Sequence, residues 1–315
     1  MAHEVESLFS AREVPWHRIG VVTPDVLKAS EAIVAAGLDW TVDKYPIYDK
    51  QTEFGENGFE DKYVEIPDRF ALKRSIDQQL MSIVSDKYRP FQNTNAFEFM
   101  DALTGTADAK YETAGSLRHG RVVFVSLRME NSDFTVAGED LHQTYLLLRT
   151  THDGSGRISV YVVTVRVVCM NTLTWAINGA RHSWGVTHTA DVAGKIAEAR
   201  EALGLTAQYT EAFQAEAEAL LSVKITDDDL QKLLDGTLQE RPTKEAEIEL
   251  IMDNYRSSAT VANFLGTGWG AVNAVSEYEE HVKKNASGEA LFSRLLDGRD
   301  AKLRTTLKDQ LLASV

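Results

Sequence analysis

Four runs of β-branched and aromatic residues, at 109–114, 121–129, 143–150 and 158–169, crowd the middle of the chain, with turn-forming residues between them. Such runs suit pleated strands with one or both faces covered, and they lose side-chain freedom in a helix. Gly154-Ser155-Gly156, between the last two runs, supplies the positive-φ positions that a hairpin connection needs. The centre is therefore predicted to be a mostly antiparallel sheet.

Helical signals flank it. Thr23-Pro24-Asp25 reads as a helix start, with Gly37 as its stop. Residues 38–48 alternate as a strand, 51–61 read as a loop carrying Gly55 and Gly58, and 62–74 read as a strand kinked at Pro67. A short strand is expected over 81–88. Asn93 or Thr94 then caps a helix with Phe97, Met100 and Leu103 on one face and Gly105 at its end. After Cys169 the pattern turns helical, with Asn171 or Thr172 as cap. From Asp191 apolar residues recur at helical spacing (Ile196, Ala199, Leu203, then Tyr209, Phe213, Ala217, Leu220), and Thr226 and Thr243 start further helices. Residues 263–281 begin as a glycine-rich loop and end helical. The fold class expected is α+β. A domain over 1–190 has a central antiparallel sheet with packed helices, and an acidic helical region follows over 191–315.

The 315 residues are 43% hydrophobic and 25% charged, enough for a core without covalent staples. A single cysteine forms no internal disulfide, which points to a reducing compartment. The first residues contain no apolar stretch of the kind a signal peptide needs, and no apolar run reaches membrane-spanning length, so no membrane partner is expected. Net charge is −14, yet residues 105–170 hold seven acidic and seven basic residues. A neutral, arginine-bearing centre thus sits between acidic segments, which disfavours indiscriminate polyanion binding but permits a local anion site.

The segment GSLRHGRVVFVSLR, from Gly115 to Arg128, contains no acid. Arg118, Arg121 and Arg128, joined by Arg149, Arg157 and Arg166, are candidate phosphate contacts, with Phe124 as a base-stacking ring on the same strand. The competing reading pairs these arginines with nearby carboxylates. His152 and Asp153, with Asn171 and His188, are candidates for a ligand or metal cleft; Asp beside a tight turn also bonds its own backbone. Cys169 is read first as a buried thiol and second as a nucleophile activated by a helix start. The histidines lack zinc spacing, and there is neither a CxxC pair nor a phosphate-binding P-loop. No metal and no cofactor are predicted. Gly266 to Gly270 (GTGWG) reads as close packing ahead of a helix, with a phosphate-binding helix start as the alternative. Trp16 is expected to anchor the N-terminal arm.

Several stretches together resemble a phage/plasmid-like family of unknown function, domain-of-unknown-function family 932. They are VPWHRIG, EAIVAAGLDWTV, IPDRFALKRS, VSDKYRPFQNTNAFEFMDAL, ETAGSLRHGR, THDGSG, VRVVCMNTL, RHSWGVTHT and GTGWGAVNAVSEYEEH. Thr151 stands where the resemblance leads one to expect Ser, and His119 where a small residue is more familiar. The resemblance brings no catalytic residues with it. It implies replication, recombination or defence in the cytoplasm of a bacterial host, and a β-rich centre carrying helices is similar in layout to phage single-strand annealing proteins.

Three readings follow. The first is a non-enzymatic protein that binds single-stranded DNA, with annealing of strands as its activity, working as a homo-oligomer. The second is a nucleotide- or metal-dependent enzyme with a cleft near His152 and Asp153. The third is a host-interaction protein using the acidic helices after Asp191.

Overall fold

Strands dominate the chain as far as Val186, and helices follow. The computed structural model describes residues 5–11, 20–55, 58–105, 110–129, 133–166, 183–188, 192–203, 206–239, 242–279 and 301–313. Eleven strands occur among them: β1 Val5–Ala11, β2 Val21–Thr23, β3 Val42–Gly55, β4 Gly58–Arg74, β5 Leu80–Ser85, β6 Tyr111–Leu117, β7 Val122–Arg128, β8 Phe134–Val136, β9 Asp140–Thr151, β10 Ile158–Arg166 and β11 Ser183–Val186. One sheet has the order β11-β10-β9-β7-β6-β1-β2, with β8 on β9; a second has the order β3-β4-β5. β1 runs parallel to β2 and antiparallel to β6, and β6 and β7 are antiparallel. The α+β class holds. The helix expected after Cys169 lies outside the described residues.

The chain forms two compact units that interleave in sequence. Unit 1 comprises Met1–Leu127, Leu147–Val160 and Trp184–Glu201; unit 2 comprises Arg128–Leu146, Tyr161–Ser183 and Ala202–Val315. The sequence reading draws one boundary near Ala190, whereas here the division falls inside β7, β9 and β10.

In unit 1 the helix expected from Thr23 begins only at α1, Ala29–Ala35. Thr23 instead closes β2, and Leu27 exchanges backbone hydrogen bonds with Tyr111 at 3.1 and 2.9 Å. Backbone groups that bond a neighbouring strand are unavailable for helical bonds. α2, Asn93–Thr104, stops at Gly105 with φ +74, the left-handed end its sequence predicts. Its buried face carries Phe97, Met100 and Leu103, and the Tyr111 hydroxyl donates to Asp101 at 2.7 Å.

The loop expected over 51–61 is the end of a long hairpin. β3 and β4 pair continuously from Tyr48↔Glu65 to Gly55↔Gly58, and β5 joins β4 only between Arg69 and Lys73. The kink read at Pro67 is present: the register shifts between Pro46 and Tyr48, and Asp68 has φ +58.

Unit 2 packs α4 (Thr206–Ser222), α5 (Asp227–Thr237), α6 (Lys244–Ser257) and α8 (Ala301–Leu312) with a central α7 (Gly268–Glu277). α3 (Ile196–Leu203) falls almost wholly in unit 1. Every residue of α7 from Gly268 to Ser276 is buried, facing a core that includes Leu220, Leu234, Ile251, Tyr255 and Leu307. The start at Thr226 is observed: its hydroxyl accepts from Asp229 N at 3.2 Å.

GTGWG makes the burial of α7 possible. Thr267 caps the helix by accepting from Gly270 N at 3.1 Å. A Cβ on Gly270 would lie 2.2 Å from the Phe264 carbonyl oxygen, and one on Gly268 would lie 3.0 Å from that of Leu220. The close-packing reading accounts for both glycines. Gly270→Ala is expected to destabilise the protein by about 2–3 kcal/mol, because backbone blocks the new methyl group. Gly236→Ala in α5, where nothing lies within 4 Å, should stabilise by about 0.5–1 kcal/mol. Denaturant unfolding of the two variants checks both signs.

Candidate functional site

Two turns of unit 1 lie side by side. The register Leu117↔Val122 leaves Arg118, His119, Gly120 and Arg121 as the β6–β7 connection. Arg118, His119 and Gly120 are all left-handed, with φ +54, +56 and +77. For the two non-glycine residues this conformation costs about 1–2 kcal/mol each, so the surrounding structure must impose it. Gly120 has no room for a side chain: a Cβ would sit 2.9 Å from the Arg74 guanidinium and 3.1 Å from the Trp40 ring. Arg74 is itself held by Glu6 at 2.7 Å and by Asp77 at 2.5 Å.

The second turn joins β9 to β10, and the His152 backbone N–H donates to the Arg121 carbonyl at 2.8 Å. Asp153 accepts from Ser155 N at 2.9 Å and from its hydroxyl at 2.6 Å, while Gly156 N donates to Thr151 Oγ1 at 3.0 Å. Asp153 therefore organises the turn. Arg157 is exposed, and Arg118, Arg121 and Arg149 are half-buried. Arg149 reaches this turn, its Nη1 lying 3.3 Å from where a Gly156 Cβ would stand. The Arg121 Nε is buried without a hydrogen-bond partner. The two connections thus carry Arg118, Arg121 and Arg157, with His119 exposed among them and Arg149 reaching them from the end of β9.

Beneath the turns lies a neutral, buried cluster. Asn93 donates to the Leu38 and Trp40 carbonyls at 2.9 and 3.2 Å, which turns its Oδ1 toward His152 Nε2 at 2.9 Å. His152 Nε2 must then carry the proton, and its Nδ1 is a bare acceptor. That Nδ1 is buried with no hydrogen-bond partner, and His188 is buried nearby. Tyr88 stacks on His188 at 4.9 Å, and its hydroxyl donates to the Thr151 carbonyl at 3.1 Å. Burial, reinforced by His188, pushes the His152 imidazole down to about 3, and burial lowers His188 as well. Burial likewise raises the Tyr88 phenol, with Asp153 adding to it.

The remaining candidates lie elsewhere. Phe124 is in the core, 1% exposed, so its ring is closed to a base and the stacking role is corrected. Both faces of β7 are covered from Val122 to Leu127, so the strand offers no open face to a base. Arg128, at the far end of that strand, is paired with Asp133. Arg166 closes β10, with its side chain outside the described residues, as are Cys169, Asn171 and Trp16. Asn93, Trp40 and Tyr88 were legible only as cap and strand residues; nothing local to them marks a shared site.

Unit 2 holds a second buried group that the sequence reading did not single out. Asp140, 2% exposed, accepts from Trp269 Nε1 at 3.1 Å and lies 3.3 Å from His142 Nε2. Phe134 stacks on His142 at 5.1 Å, and Phe213 and Trp269 close the box at 5.5 and 5.7 Å. This arrangement ties the β8–β9 hairpin to α4 and α7. Among the described residues no group of three or more His, Cys, Asp or Glu side chains can hold a metal ion, and no helix is long and apolar enough to cross a membrane.

Fold and site together describe an α+β protein with cationic turns set over a neutral buried histidine pair. The chain belongs to the family described as a domain of unknown function (DUF932), whose family model matches residues 80–310. No curated protein and no solved structure matches it. The family match takes in both turns and leaves β1 to β4 outside.

The histidine pair sets a pH dependence. Burial holds both imidazoles below their ordinary value in the fold, His152 at about 3, so below pH 6.5 the unfolded chain binds more protons. Their contribution is complete above pH 6.5 and falls away below it, by up to about 1.4 kcal/mol per pH unit for His152, with His188 acting in the same direction. Unfolding free energies measured from pH 7 to pH 4 should show this steepening, and His152→Gln should flatten it.

Proposed function

We propose that this chain binds single-stranded DNA and promotes annealing of strands as a homo-oligomer in a phage or plasmid setting, with no bond chemistry. The observation that supports this reading is the bond from His152 N to the Arg121 carbonyl, 2.8 Å long, which holds two cation-bearing turns together. Arg118, Arg121, Arg149 and Arg157 are the phosphate contacts, and exposed His119 replaces Phe124 as the ring offered to a base. Strand ends suit this task, since a backbone laid across successive turns leaves its bases free to pair. Four phosphates neutralised on a single strand give a slope of about −3 in log affinity against log salt. Arg121→Ala combined with Arg157→Ala should weaken binding at least tenfold and reduce that slope by about 1.4. Filter binding across a salt series measures both, and no affinity at low salt would refute the proposal.

The bare Nδ1 of His152 favours a second reading, a small polar ligand held beneath the turns, such as part of a nucleotide. A thermal-shift screen with nucleotides and divalent ions tests it; a flat response counts against it.

A further inference from the structure

The β3–β4 hairpin carries an aromatic stripe along one face. Cross-strand partners share a face, and the face alternates along each strand. The register therefore places Tyr48/Glu65, Lys50/Tyr63, Thr52/Asp61 and Phe54/Phe59 in four successive rows on one side. The other side carries Asp49/Val64, Gln51/Lys62 and Glu53/Glu60. All four aromatic rings fall in the first set. They are 52% (Tyr48), 63% (Tyr63), 78% (Phe54) and 79% (Phe59) exposed, with Phe54 and Phe59 packed edge to face at 5.3 Å at the tip. Among the described residues no third strand supports these rows, because β5 pairs only with the base of β4.

An isolated two-stranded ribbon is marginal in water. Four rings this exposed leave roughly 500–600 Å² of aromatic surface open, as much as the largest patch on an ordinary monomer. A cover is called for. A polynucleotide is disfavoured, since residues 47–66 hold six acids against two lysines, and the same charge disfavours an anionic lipid surface. The stripe fits itself. Laid face to face and antiparallel about a two-fold axis, the Phe54/Phe59 row of one copy covers the Tyr48/Glu65 row of the other. Lys50 then lies diagonally across from the second copy's Asp61, and each contact occurs twice. Both copies together bury roughly 1,000–1,200 Å², near the lower bound for a specific interface, from the rings alone.

We propose that this hairpin is a dimerisation arm whose aromatic face packs against that of a second copy of the same chain. The inference stands apart from DNA binding, and the arm lies outside the residues matched by the family model. Sedimentation and light scattering of the full-length chain at micromolar concentrations test it. The wild type should be dimeric, and Phe54→Asp with Phe59→Asp should be monomeric with its circular dichroism unchanged. Glu53→Lys with Glu60→Lys, on the opposite face, should stay dimeric. Within one copy Lys50 already pairs with Asp61 at 2.7 Å, so Lys50→Glu and Asp61→Lys each disrupt both the internal and the cross-copy contact. Each alone should weaken the dimer about tenfold or more, and an equimolar mixture should restore it, because only the contact between copies regains opposite charges. A monomeric wild type, a dimer indifferent to the tip substitutions, or a mixture no more dimeric than its components would each overturn the proposal.

Discussion

The covering of both faces of β7 is the constraint on which the rest of unit 1 depends. From Val122 to Leu127 no side chain reaches solvent, so polar chemistry on this part of the sheet is confined to strand ends. The arginines that flank the strand follow that rule. Arg121 stands at its start, where its carbonyl accepts from His152 N of the neighbouring turn, and Arg128 stands at its end, engaged by Asp133. Among the basic residues of these two turns the exposed ones are His119 and Arg157.

The two buried polar groups solve the problem of polarity in a core differently. In unit 1, Asn93 spends both amide donors on carbonyls and its oxygen on His152, which leaves a neutral imidazole with one bare nitrogen. In unit 2, Asp140 is bound by Trp269 and adjoins His142 inside an aromatic box. The second group ties the β8–β9 hairpin to α4 and α7 and reads as structural. The first retains acceptor capacity beneath a cationic surface, which makes it the more promising place for a ligand.

The arm obeys a third rule. A strand pair with no sheet beyond it must be short, charged or covered. This one is long and bears charge on one face and rings on the other, so cover supplied by a second copy reconciles its length with its aromatic content.

Local chemistry in the sequence determined much of this. The helix start at Thr226, the glycine stop at Gly105, the strand runs of β6, β7, β9 and β10, the kink at Pro67 and the packing glycines of GTGWG were all legible, because propensity, capping and turn chemistry act over a few residues. The cationic segment around Arg118 and the His-Asp-Gly turn were also visible. Tertiary structure alone decided what depends on register and on distant partners. Thr23 became a strand end because Leu27 pairs with Tyr111; residues 51–55 and 58–61 became strands because each run pairs with the other; Phe124 was buried because the sheet is covered on both sides. Asn93 met His152 across 59 residues of chain. Such contacts leave no local trace, since their energy is gained only when the fold brings the groups together.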